Sequence, residues 1–191
     1  MMSGVLLGWL LCGSVIVCAA QEPIGPGPPT QKDFDKRVEE YVKLRNTARE
    51  GLPKLKPTRS AAAIEHHEEV LAHRIREMRR GASQGDIFTQ EISADFRKSI
   101  ALTMQGEGAG QILESLRRAD PVHLKPLGVN RSYPKGVPLQ STPPTLLLNL
   151  PKLPPDLEYR VVGRSLVLRD VEANLIVDFI PGAIPVGTNA P

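Results

Sequence analysis

Cysteine is almost missing from this chain: of 191 residues only Cys12 and Cys18 carry a thiol. Both lie ahead of Ala20, the end of the small-residue site Cys18-Ala19-Ala20. A chain cut there keeps no disulfide, no thiol nucleophile and no cysteine metal ligand, so packing alone must hold it. Aromatic side chains make up only 4% of the residues, which limits any single core, because aromatic rings bury the most area per residue. No charge of one sign dominates. Over residues 32–120, seventeen Lys/Arg are interleaved with fifteen Asp/Glu, and the whole chain carries a formal net +3. A nucleic-acid binder concentrates basic residues on one stripe or face, so no nucleic acid is expected as a partner. Long hydrophobic runs are missing too. The one apolar stretch, Val5 to Val17, is thirteen residues long, short of the roughly 20 that a spanning helix requires.

Catalytic signatures are also lacking. The chain has no G-x-S-x-G, no P-loop, no glycine fingerprint after a strand and no Cys–His pair. Gly106-Glu107-Gly108-Ala109-Gly110 follows a helical pattern and reads as a helix breaker. Asp86 and Glu91 flank Ile87-Phe88, and carboxylates at a helix start are ordinary capping chemistry. The expectation is a protein that is not an enzyme, with no catalytic residue and no cofactor.

Organisation is legible where motifs are not. Residues 1–20 have the layout of a secretory signal: a short start, an apolar core, then Cys18-Ala19-Ala20 before the polar Gln21. Export to the periplasm or outside the cell is expected, with no stable membrane span after cleavage; an uncleaved anchor is the alternative. Residues 21–31 are Pro/Gly-rich and read as an extended tether. Residues 32–120 read as a helical region, 121–156 as a Pro-rich extended arm with a short helix over 143–150, 157–181 as a β-meander, and 182–191 as a tail.

In the helical region three to four helices are expected, forming a hairpin or small bundle. The first runs from about Asp33 to Glu50, with capping-box spacing at Thr30 and Asp33 and a stop at Gly51 and Pro53. Phe34, Val38, Tyr41, Ala48 and Leu52 share one stripe at helical spacing, and Arg45 on that stripe is expected to snorkel outwards. The second helix, about Ala61 to Arg80, is capped by Ser60. Its apolar face holds Ile64, Leu71, Ile75 and Met78. Its acidic residues come first and its arginines last, as the helix dipole favours. A third helix follows Thr89, and a fourth covers about Gln111 to Arg118.

Three of the four histidines lie on the second helix. His66, Glu69, His73 and Glu77 fall on one stripe, and ligands four apart on a helix share a face. They are weak metal candidates only: His67-Glu68 is followed by Leu71 where a His-Glu-x-x-His motif needs its second histidine. The stripe is read as a solvated face and no metal site is assigned. His67, flanking the apolar side, is read as packed. His123, in the Pro-rich arm, has no evident partner.

The tail carries the sharpest structural expectation. Gly163-Arg164 is a two-residue loop with glycine first, suited to a type II′ turn. It sets Val162 opposite Ser165, Val161 opposite Leu166, Tyr159 opposite Leu168 and Glu158 opposite Arg169. A four-residue loop, Val171 to Asn174, then sets Leu168 opposite Val177 and Leu166 opposite Phe179. Tyr159, Val161, Leu166, Leu168, Val177 and Phe179 would share the inner face. Glu158, Arg160, Val167, Arg169 and Asp178 would face out, with Ile176 as the exception. The helices or the Thr145–Leu150 segment should cover the inner face, since so small a sheet does not stand alone. The fold class expected is α+β.

The run Leu153-Pro154-Pro155, Tyr159-Arg160-Val161-Val162, Leu166-Val167-Leu168-Arg169-Asp170 and Ile176-Val177-Asp178-Phe179-Ile180 resembles the C-terminal module of the RcnB-like periplasmic proteins, over about 30 residues of the chain. The resemblance implies a bacterial, periplasmic setting and a small β-module. That family is linked to nickel and cobalt homeostasis, yet no ligand residue of that kind maps onto this tail. Three functional expectations follow. The leading one is a non-catalytic envelope protein that binds a protein or cell-envelope component. An accessory in metal or envelope-stress handling and an enzyme without a recognisable motif are the alternatives.

Overall fold

The computed structural model describes residues 27–53, 55, 58–106, 109–118, 126–134 and 142–185. The signal-like leader, His123 and the end of the tail lie outside the described residues, as does most of the tether. The described residues form an α+β fold of five helices and one three-stranded antiparallel sheet: α1 (Pro28–Arg49), α2 (Ala61–Met78), α3 (Gln90–Thr103), α4 (Ala109–Arg118), α5 (Pro144–Leu148), β1 (Leu157–Val162), β2 (Ser165–Asp170) and β3 (Leu175–Ile180), in sheet order β1-β2-β3. No described helix is long and apolar enough to cross a membrane.

Helix α1 begins inside the stretch expected to be an extended tether. Pro28 and Pro29 occupy its first positions after Gly27, where proline's missing N–H is no loss and its fixed φ suits the helix. The capping box expected at Thr30 is therefore not the start. Its end is as the sequence implies: Gly51 adopts φ 72°, a left-handed stop that glycine takes without strain. Helices α2 and α3 start at the expected caps. Ser60 accepts from the Ala63 N–H and Thr89 from the Ile92 N–H, each satisfying an amide that the first turn leaves over.

The core lies between the helices and one face of the sheet. Its aromatic content is small but concentrated. Phe34, Phe88 and Phe96 are all but fully buried, with ring centroids 5.1–5.7 Å apart, within the range of favourable offset and edge contacts. Tyr159 of β1 joins them, 6.2 Å from Phe96. Leu71 and Ile75 of α2, Ile92 and Ile100 of α3, and Leu146 of α5 complete the layer over the sheet.

The first hairpin has the register the turn dictates, from Val162↔Ser165 to Glu158↔Arg169. Gly163 has φ 57°, as the first central position of a type II′ turn requires. The second hairpin departs from expectation. A bulge shifts its register between Leu168 and Arg169, so that Leu168 opposes Asp178 and Leu166 opposes Ile180, in place of Val177 and Phe179. One extra residue in a strand re-aims the side chains beyond it. Asp178, expected outside, is fully buried on the helix side. Phe179, expected inside, packs with Tyr133, Val162, Val167 and Ile176 on the opposite face.

That second face is not bare, because part of the Pro-rich arm docks on the sheet. Ser132 bridges to Leu175. The amides of Asn130 and Tyr133 donate to the carbonyls of Ile176 and Asn174, and the Ile176 amide donates to Arg131. An apolar edge strand seeks such pairing for its free N–H and C=O groups. Alternating hydrophobicity cannot find this segment, since a proline-rich stretch carries no strand period.

Candidate functional site

Helix α2 presents two unlike faces. His66, Glu69, His73 and Glu77 lie on its exposed side, with Glu77 paired to Arg80 one turn on. No group of three or more His, Cys, Asp or Glu among the described residues is arranged to hold a metal ion. The side turned towards the fold carries arginines that do more than answer the helix dipole. Arg74 donates to the carbonyls of Ala48 and Glu50 at the end of α1. Arg76 donates to the Asn130 carbonyl and the Ser132 hydroxyl. Arg79 lies over the Tyr41 ring, 5.1 Å from its centroid, and donates to Asn130 Oδ1 and the Val177 carbonyl. Burial lowers the Arg79 pKa. Together these three fasten α1, the docked arm and β3 to α2.

A charged cluster is buried where α1 meets the β2–β3 turn. Arg45 does not snorkel; its side chain is wholly enclosed. Its Nε donates to Asp170 Oδ2 at 2.8 Å, Nη1 reaches Asp156 at 3.2 Å, and Nη2 meets Glu172. Tyr41 donates its hydroxyl proton to the same Asp170 oxygen at 2.8 Å, and the Ala173 amide donates to the other oxygen. Burial opposes the Arg45 charge, but Asp170, Asp156 and Glu172 outweigh it and hold its pKa up. Burial, then the Asp170 charge, pushes the Tyr41 hydroxyl well above its ordinary range. Glu172 also meets His67 at 2.9 Å and Arg49 at 3.5 Å. Burial alone would raise its pKa; the bond to His67 and the charges of Arg45 and Arg49 bring it below the ordinary carboxylate value. His67 is thus packed as expected, with a polar partner that its sequence position does not reveal. All three Arg45 nitrogens and both oxygens of Asp170 and of Glu172 have partners within the protein, and a carboxylate already spent on an enclosed guanidinium is poorly placed to act as an acid or base.

A concave feature with room for a ligand lies elsewhere among the described residues. A cleft of about 470 Å³ runs between β1 and the α5 segment, its lining shared between Leu147, Leu150, Leu153 and Leu157 and polar groups that include Lys152, Glu158 and Arg160. Helix α5 positions Leu147: its short turn buries Leu146 in the core and leaves Leu147 and its neighbour Leu148 turned out, Leu148 being 80% exposed. The polar groups of the floor are already engaged. Tyr159 donates its hydroxyl proton to the Pro151 carbonyl and Thr142 donates to the Tyr159 carbonyl. Glu158 accepts from Arg160 and Arg169 at 2.6–2.7 Å; burial works against its charge, but these two arginines lower its pKa. Sequence reasoning assigned no residue here. The one available signal was the Leu146-Leu147-Leu148 run in a segment otherwise dense in proline. No family model, no curated protein and no solved structure matches the chain.

Proposed function

We propose that this chain is an exported, non-catalytic binding protein of the cell envelope, and that the cleft beside β1 is its binding site. The observation that carries the reading is the contrast between this cleft and the buried charges. The cleft combines leucines, engaged polar groups and the exposed Leu147 at its edge, a mixture that suits a recognition pocket. The enclosed Arg45 and Asp170 are instead joined to each other, with Asp156 and Glu172, in ion pairs where α1 meets the sheet. In this reading α1, α2 and α3 form a small bundle whose task is to hold the sheet and α5 in place, and the leader directs the chain to the periplasm or beyond. Metal handling, the alternative, rests on the tail resemblance alone.

The test is photo-crosslinking in cells that export the protein. A photoreactive residue at Leu148 should give a discrete adduct, and one at the exposed Val171 on the β2–β3 turn should not. Equal, diffuse labelling from both positions would remove the cleft from the reading. Intact-mass analysis of the exported chain tests the leader. A species beginning after Ala20 is expected, and one that retains Cys18 would contradict cleavage there.

A further inference from the structure

The character of the cleft narrows the kind of partner. Of its lining residues, Lys152 and Arg160 are cationic and Glu158 is anionic. Glu158 is held by Arg160 and by Arg169 behind it, so it offers little negative field to a ligand. Lys152 is exposed and makes no ion pair among the described residues. The lining therefore presents excess positive charge beside its leucines. The apolar surface also continues past the cleft, through Leu147 onto Leu148, so a partner that uses all of it is larger than a small molecule filling the cavity.

We propose that the cleft takes an acidic polypeptide segment with an apolar anchor: a leucine- or phenylalanine-like side chain enters between Leu150, Leu153 and Leu157, and a neighbouring carboxylate meets Lys152. This deepens the binding reading above and rests on it. Charge complementarity of this kind sets which partner is accepted more than how tightly it is held.

The test uses two synthetic peptides as probes, one with leucine and phenylalanine spaced by aspartates and one with lysine at each aspartate position. Binding is followed by backbone amide shifts of the full exported chain. The acidic peptide should move the amides of residues 147–160 and bind about fivefold more tightly than its lysine counterpart, the scale of one or two exposed ion pairs. Lys152→Glu, at an exposed position, should leave thermal unfolding unchanged and reverse the preference. Equal binding of the two peptides, or a preference that survives Lys152→Glu, overturns the proposal. So does tighter binding of dodecanoate than of the acidic peptide, which would make the occupant an amphiphile. A Leu148 adduct in cells together with no charge preference would discard this proposal and keep the binding reading; no adduct would discard the reading beneath it.

Discussion

Asp170 and Asp178 sit on the same hairpin, at the end of β2 and near the end of β3, and both are fully buried. They are held in opposite ways. Asp170 meets a charge, the enclosed Arg45, and a tyrosine hydroxyl. Asp178 takes its hydrogen bonds from amides: those of Ile87 and Phe88 at 2.8 Å and Gly85 at 3.1 Å, with its own neighbour Phe179 at 2.8 Å. One aspartate ties a helix to the sheet by charge pairing. The other shapes the loop before α3 by gathering N–H groups. A buried carboxylate needs either a counter-charge or several donors, and this hairpin uses one solution at each end.

The difference is open to mutation, and the largest effect belongs at the Asp170 end. Arg45→Ala leaves Asp170 buried without its counter-charge and should cost about 3–5 kcal/mol, as breaking one side of a buried ion pair does. Denaturant unfolding measures it; a cost near zero would mean that water takes over the Arg45 role. Asp178→Ala should cost about 2–3 kcal/mol, since bonds to a charged acceptor are worth more than neutral ones and their loss strands loop amides. Its signature should be local. Hydrogen exchange should quicken at Gly85, Ile87 and Phe88 before it quickens in α1, whereas Arg45→Ala should loosen α1 and the β2–β3 turn together.

Acid should separate the two ends further. The folded-state pKa of Glu172, beside Arg45, is lowered from 4.5. A depressed carboxylate contributes stability above its unfolded pKa and loses it as pH falls through the folded value. The melting temperature should therefore hold near neutrality and drop below about pH 4.5, and Glu172→Gln should flatten that drop. A decline that is as steep in Glu172→Gln would assign it to other carboxylates. At the small end, Gly163→Ala places a Cβ on a residue at φ 57° with open space around it, so only backbone strain of about 1–2 kcal/mol applies. His66→Ala and His73→Ala, on the exposed face of α2, should change stability by no more than about 0.5 kcal/mol. Calorimetry of the parent with nickel, cobalt and zinc should show only weak binding; a tight site lost in His73→Ala would restore the metal reading.

The sequence showed what local rules govern and missed what only the assembled fold provides. Gly163 and a two-residue loop were enough to set the whole first hairpin, because turn type and strand alternation fix register together. Ser60 and Thr89 marked two helix starts by the same local logic. The second hairpin defeated that logic at Asp178, because a bulge has no signature in hydrophobic alternation. Its amide partners lie about 90 residues away. Arg45 was assigned to the surface for the same reason: Asp156, Asp170 and Glu172 are all more than 100 residues from it in the chain. The cleft was illegible because its leucines are scattered over a five-residue helix too short to show a period, the coil after it and the start of β1.

If charge pairing, more than packing, joins α1 to the sheet, Arg45 and Asp170 must be energetically coupled. The direct measurement is a double-mutant cycle with Arg45→Met and Asp170→Leu, read by denaturant unfolding at pH 7. Each single variant should lose about 3–5 kcal/mol, and the double variant should lose less than their sum by about 2 kcal/mol, because neither charge is then left buried alone. Additive losses would show that the two side chains act independently and would contradict the pairing as the join between helix and sheet.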